Sequence, residues 1–289
     1  MELAVHYRTA IVDGLEVFYR EAGDPAAPVV VLLHGFPTSS HMFRELIPAL
    51  ADRYHVIAPD HIAFGQSAMP SLRDFPYTFD ALADVTAGLL QELGVDRFAM
   101  YVQDYGAPIG WRLALQDPGR VTAIVSQNGN AYEEGFAEPF WESVFAYGKN
   151  PGPDTEAPMR AALTLESTRR QYVNGVPDPS LVSPDNWVHD QALLDRPGND
   201  EIQLKLFRDY LTNVDLYPRV HQYFRDSRVP LLAVWGANDE IFVPAGAEAF
   251  RQDLPDAEIH LLDSGHFALE SHLRPIAQHI RDFLHRALA

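Results

Sequence analysis

An α/β fold, with a mostly parallel sheet, helices on both faces and an inserted helical lid, is what three features of this 289-residue chain predict. Short apolar runs alternate with segments of helical periodicity, the pattern of a parallel sheet whose crossovers are helices. The runs Val29–Leu33, Phe98–Val102, Val121–Ser126 and Leu231–Trp235 carry almost no polar alternation, as befits strands covered on both faces. Between about 131 and 226 the strand signal disappears. Helical stretches are punctuated there by Asn150-Pro151-Gly152-Pro153, Val176-Pro177-Asp178-Pro179 and Arg196-Pro197-Gly198-Asn199. The expected division is therefore a core of residues 1–130 and 227–289, with a lid of residues 131–226.

The elements follow in order. Ala4–Val12 and Leu15–Arg20 read as a hairpin, because Asp13-Gly14 is a strong two-residue turn signal. Val29–Leu33 is a buried strand ending in His34-Gly35-Phe36-Pro37. Ser39 or Ser40 is placed to cap a helix whose Phe43, Leu46, Ile47 and Leu50 recur at helical spacing. His55–Ala58 is a short strand, followed by the loop 59–67. A helix near 79–93 carries Leu82, Val85 and Leu89 on one side and stops at Gly94. In the lid, Ile202, Leu206, Tyr210 and Val214 define one helix after a possible cap at Asn199, which places Tyr210 in the core. A helix near 244–252, a strand at Glu258–Leu262 and a last helix with Ile276, Ile280, Phe283 and Leu284 complete the chain.

Composition narrows the function. Acidic residues number 40 against 22 basic, a net charge of −18. Such a chain has no basic excess to neutralise nucleic-acid phosphates or an anionic membrane. It has no cysteine, which excludes disulfides and thiolate metal sites. Neither a signal peptide nor a membrane span is recognisable, so a cytoplasmic protein, monomer or homodimer, is expected.

The chemistry gathers at Gln103-Asp104-Tyr105-Gly106, a very short turn between a buried strand and a helix. Such a turn strains its central residue and demands small neighbours; Gly106 and Gly110 meet that need, and Pro108 fits the first helical turn. Asp104 is thereby pushed out beside a helix N-terminus, as in a nucleophile elbow with aspartate in place of serine. Attack by a carboxylate on saturated carbon gives an alkyl ester that water cleaves, whereas attack on an acyl carbon gains little. Capping the helix is the plainer role open to Asp104.

A carboxylate nucleophile needs a base to activate water, and the base needs an orienting acid. Asp239, in Gly236-Ala237-Asn238-Asp239, and His266, in Asp263-Ser264-Gly265-His266, follow later strands in the required order. Asp239 has a turn role open to it, and Glu133 and Glu134, after the strand at 121–126, are rival acids. His34 reads as a brace for its loop and Asp60 as a turn former.

Together the stretches HGFPTSS (34–40), APDHIAFGQS (58–67), VQDYGAPIG (102–110), VWGANDEIF (234–242) and DSGHFALE (263–270) resemble the α/β-hydrolase superfamily. The nearest likeness is to its aspartate-nucleophile branch of epoxide hydrolases and haloalkane dehalogenases. The resemblance implies an oxyanion hole from the backbone N–H groups of Phe36 and Tyr105, and no metal or organic cofactor. Dehalogenases hold the halide with ring or amide N–H groups, commonly tryptophan after the nucleophile and often asparagine after His-Gly; this chain has Tyr105 and Phe36 there. His-Gly-Phe-Pro is the form usual in epoxide hydrolases. Epoxide hydrolases protonate the opening ring with two lid tyrosines, for which Tyr217 and Tyr147 are the candidates. Ala63 stands where a glycine is often seen. A small apolar epoxide opened to a diol is the expected reaction, with haloalkane dehalogenation and a non-catalytic ligand receptor as alternatives.

Overall fold

The computed structural model describes residues 4–288. Its eight strands form one sheet: β1 His6–Val12, β2 Leu15–Ala22, β3 Val29–Leu33, β4 His55–Pro59, β5 Phe98–Gln103, β6 Val121–Gln127, β7 Leu231–Gly236 and β8 Glu258–Leu262. Their order is β1-β2-β4-β3-β5-β6-β7-β8. The β1–β2 and β2–β4 pairs are antiparallel and every other pair is parallel. Asp13 and Gly14 take φ of 49° and 82°, the left-handed pair that a two-residue hairpin turn demands.

Alternation along the central strands feeds two apolar layers. Val31, Leu33, Met100, Val102 and Trp235 face one layer; Val30, Leu32, Tyr101, Val125 and Val234 face the other. The first is covered by α2 Phe79–Glu92 and α3 Gly106–Gln116, the second by α1 Leu46–Leu50 and, further along the chain, the last helix, Ala268–Ala287. In that helix Ile276, Ile280, Phe283 and Leu284 are all buried, as their spacing predicts.

Departures from the sequence reading are local. The helix expected after Ser39 is split: Ser39 caps a 3₁₀ turn at Ser40–Phe43, and α1 begins only at Leu46. Pro48 is the reason, since its ring would strike the carbonyl of Arg44 in a continuous helix but is tolerated in a first turn. After β6, the helices α4 Phe140–Lys149, α5 Pro153–Ala162, α6 Leu165–Val173, α7 Pro184–Leu194, α8 Asn199–Asp209 and α9 Leu211–Ser227 precede β7. The single helix read through Ile202 to Val214 is thus two, broken at Tyr210. A short helix, α10 Pro244–Ala249, lies between β7 and β8, and Ala268–Ala287 is α11. Among the described residues no helix is long and apolar enough to cross a membrane.

Candidate active site

Asp104 sits between β5 and α3 with φ of 47°, strained for a non-glycine residue. The turn closes so tightly that a methyl group at Gly106 would fall 2.1 Å from the Leu33 carbonyl oxygen. Its Oδ1 accepts from the backbone N–H groups of Phe36 and Tyr105, each at 2.6 Å. Oδ2 lies 3.9 Å from His266 Nε2. Burial raises the pKa of Asp104; His266 and the two N–H groups oppose that, and Asp239 adds to it.

His266, after β8, places Nδ1 2.9 Å from Asp239 Oδ2, which fixes the proton on Nδ1 and leaves Nε2 as the basic nitrogen. Burial pulls the histidine pKa down, but Asp239, through charge and hydrogen bond, and Asp104 outweigh it and raise it overall. Asp239 is anchored in turn. Its Oδ1 accepts from Ile241 N–H at 2.7 Å, and Asn128 donates to Oδ2 at 2.7 Å. Asn128, at the end of β6 with φ of 48°, also accepts from Gly236 N–H at 2.9 Å. Sequence reading missed this residue; the tolerance of asparagine for left-handed backbone is the only signal it carries. The rival acids are not beside the histidine. Glu133 and Glu134 lie in a 3₁₀ turn, and Glu134 accepts from Gln252 at 3.0 Å.

The loop that carries Phe36 is braced as expected. His34 Nε2 accepts from His61 N–H at 3.0 Å, and burial pushes the His34 pKa down to about 4, so the ring is neutral. Asp60 closes its turn by accepting from Ser40 and Gln66 N–H groups, each at 2.7 Å. Ala63 keeps a left-handed φ of 73°, and Arg196 of the lid donates to its carbonyl at 2.6 Å.

Above Asp104 opens a cavity of about 460 Å³, with Asp239, His266 and Asp104 in its wall. Phe36, Trp141, Met159 and Phe207 make its interior apolar, and the exposed Glu166, Arg170 and Glu240 rim its mouth. The Trp141 ring N–H is already committed to the Ile241 carbonyl at 2.7 Å.

The lid tyrosines fall differently from expectation. Tyr147 is not in the cavity wall. It lies one helical turn beyond Ser143, which is in the wall, and its charged neighbours are Glu156, Arg208, Glu201 and Arg160. Tyr217 lies behind the wall, its ring 6.2 Å from Phe136 and its hydroxyl near Tyr210 and Asn130 without a well-formed bond to either. Tyr210, which the apolar spacing assigns to the core, is also outside the wall but packs directly on two residues that form it. Its ring centroid is 4.3 Å from that of Trp141 and 6.0 Å from that of Tyr105. Burial raises its pKa well above normal, and the charge of Asp104 adds to the rise.

Comparison with known proteins agrees with this architecture. The model of the alpha/beta hydrolase fold family matches residues 28–273. An uncharacterized hydrolase of Saccharomyces cerevisiae is 46% identical over 96% of both chains. Epoxide hydrolase A of Mycobacterium tuberculosis is 34% identical over 58% of this chain and 54% of its own length. The crystal structure of haloalkane dehalogenase DbeA from Bradyrhizobium elkani superposes with a TM-score of 0.82, at 25% identity, over 99% of this chain and 98% of that one. The chain belongs to the α/β-hydrolase fold family, with an epoxide hydrolase and a haloalkane dehalogenase among its relatives.

Proposed function

We infer that the protein hydrolyses an electrophilic saturated carbon through an alkyl ester on Asp104, and that its substrate is an epoxide opened to a diol. The observation that carries this reading is the division of labour within one carboxylate. Oδ1 is held by two backbone N–H groups at 2.6 Å, while Oδ2 is without such donors and near His266. In the first step Oδ2 attacks the epoxide carbon, the C–O bond breaks, and the oxygen leaves as an alkoxide that must be protonated. In the second, His266 Nε2 takes a proton from water as the water oxygen adds to Cγ of Asp104. The charge that develops on Oδ1 falls between the Phe36 and Tyr105 N–H groups. Asp239 holds the histidine in its basic tautomer throughout.

Epoxide is favoured over halide by the donors around the cavity. A departing halide needs N–H groups to solvate it, yet Phe36 has none on its side chain and that of Trp141 is spent on Ile241. An alkoxide needs a phenol, and Tyr210 is the lid phenol packed on Trp141 and Tyr105, two residues of the cavity wall. Tyr210 is therefore the proposed acid, with Tyr217 as its partner; Tyr147 has no role. The name of the Mycobacterium tuberculosis relative supports the same substrate class.

Single turnover in oxygen-18 water tests the route. Water attacks the carboxyl carbon, so label must appear in the peptide containing Asp104 before it appears in diol. Label in the diol but never in the enzyme would exclude the alkyl ester. A haloalkane panel on the same preparation tests the substrate class; efficient halide release with inert epoxides would reverse it.

A further inference from the structure

The atom of His266 that must accept the water proton is not free. Gln103, at the last position of β5, is fully buried, and its Nε2 lies 2.9 Å from His266 Nε2. With Nδ1–H given to Asp239, the contact is an amide N–H donating to the imidazole lone pair. The amide oxygen has no partner, although it is shut away from solvent. It lies against Gly35 next to Asp104, where a methyl on Gly35 would meet Gln103 Oε1 and Asp104 Oδ1 at 2.6 Å each. A buried carbonyl without a donor costs about 1–3 kcal/mol. Packing does not require an amide in this place; an apolar side chain of the same shape would avoid that cost. Both observations are explained if the oxygen has a partner in another state of the catalytic cycle.

We propose that Gln103 is a positioning residue whose amide follows the proton on His266. While the ring is neutral, the amide –NH₂ holds the Nε2 lone pair. When water adds to the Asp104 ester, the new O–Cγ bond forms and the water proton passes to Nε2. The carbonyl pair moves onto Oδ1. Nε2–H is now a donor, and the Gln103 amide, turned over about its terminal torsion, presents Oε1 to it. As the tetrahedral species collapses, the Cγ–Oδ2 bond breaks and the leaving alkoxide takes the proton from Nε2. The regenerated carboxylic acid gives its remaining proton to solvent, and the amide turns back. This role rests on the alkyl-ester reading above.

The groups facing the ring are few. Asp239 meets Nδ1; Asp104 and Gln103 meet the Nε2 side; Phe242 and Phe267 pack against the rest, with centroids at 6.1 and 5.1 Å. Removing the amide therefore leaves the two carboxylates in charge. A hydrogen bond from imidazolium is roughly twice as strong as one between neutral groups. Losing both states of the Gln103 contact thus weakens the protonated ring more than the neutral one.

Gln103→Met, which keeps length and loses the amide, should lower the His266 titration midpoint by about one pH unit. Nitrogen-15 NMR of the labelled imidazole reads this directly, without substrate. In single turnover of styrene oxide, adduct formation should stay within about threefold of wild type while breakdown slows about 10–100-fold, its acid limb moving with the midpoint. Gln103→His, whose ring can also donate or accept, should recover most of the breakdown rate. An unmoved His266 midpoint, equal losses in both steps, or no recovery in Gln103→His would each overturn the proposal. If Gln103→Met does not fold, Gln103→Glu serves: a carboxylate beside Nε2 must raise the midpoint, and no rise overturns the proposal. Failure of the alkyl-ester reading is recognised separately, as absence of any Asp104 adduct in wild type and in His266→Gln.

Discussion

Two walls enclose the cavity, and they are built by different means. On the core side each of the proposed reacting groups stands at the carboxyl end of a strand: Asp104 after β5, Asp239 after β7 and His266 after β8. Their positions are held by backbone, through a strained φ at Asp104 and two N–H groups on its oxygen, and by a buried chain of side-chain hydrogen bonds from Asn128 to Asp239 to His266. On the lid side the apolar part of the wall is Phe140, Trp141, Met159 and Phe207, projecting from α4, α5 and α8. They are held mainly by packing, with the Trp141 N–H also anchored on the Ile241 carbonyl. Backbone fixes atoms to fractions of an ångström, as bond-making requires. Packed side chains tolerate exchange and set shape. The core wall should therefore govern the rate of chemistry and the lid wall the choice of substrate, except where a lid hydroxyl takes part in the reaction.

The sharpest break in this comparison is at the core wall. Asp104→Ala removes the attacking atom and should reduce turnover by at least about 10⁴-fold while leaving the fold intact, since the burial cost of the carboxylate goes with it. His266→Gln should separate the two steps. Alkylation proceeds, water is no longer activated, and the enzyme accumulates a stoichiometric ester detectable by intact mass. A folded His266→Gln protein that forms no adduct with a substrate turned over by wild type would assign His266 another task.

Next in size is the place where the lid is proposed to join the chemistry. Tyr210→Phe removes a proton donor and nothing else, so epoxide turnover should fall by about 10²–10⁴-fold. Tyr217→Phe removes only the neighbour of that donor, with an expected loss near tenfold. Tyr147→Phe should have no effect on rate, because the charged groups around its hydroxyl are Glu156, Glu201, Arg160 and Arg208, and Asp104 is not among them. The order of the three, measured on one epoxide with thermal stability as the control, is the test. A larger loss in Tyr217→Phe than in Tyr210→Phe would return the acid to Tyr217.

The two walls also differed in how much of them could be read from sequence. Strand ends followed by short turns are local features, so Asp104, Asp239 and His266 could be named from their flanking residues. The glycine at 106 and the residues around Asp239 carry their constraints within a few positions. The lid offers no such local code. An i, i+4 stripe such as Ile202, Leu206 and Tyr210 says which face is buried but not what buries it; for Tyr210 that includes Trp141 and Tyr105, two residues of the cavity wall. Pro48 was visible, yet its effect depended on where α1 begins. Gln103 and Asn128 stand in apolar or turn-forming surroundings that would suit many residues, and only the arrival of His266 and Asp239 from distant strands gives them work.

The smallest expected effect lies on the seam where lid and core meet. Asp190 of α7 is fully buried, accepts from the Tyr172 hydroxyl of α6, and lies close to the Thr38 hydroxyl of the loop that carries Phe36. Its Oδ1 has no partner. Burial raises its pKa to about 7; Tyr172, Thr38 and Arg44 oppose the rise and Glu270 adds to it. The folded value thus exceeds the unfolded value of 3.8, so the fold prefers the protonated carboxyl. The stability this contributes is complete below about pH 4 and is lost as pH rises through about 7. Asp190→Asn cannot ionise and should lack that slope. It should be the less pH-sensitive protein, and above pH 8 the more stable one, by an amount on the order of 1–3 kcal/mol. Urea midpoints at pH 5 and pH 8.5 for both proteins measure the difference. Parallel changes in the two would mean that Asp190 ionises no differently in the fold than outside it. Turnover should be nearly unchanged in Asp190→Asn, because the seam holds the lid wall while the core wall holds Asp104. A loss of rate at constant stability would instead show that the Thr38 loop carries strain from the lid to the Phe36 N–H group, and the two walls would then not be independent.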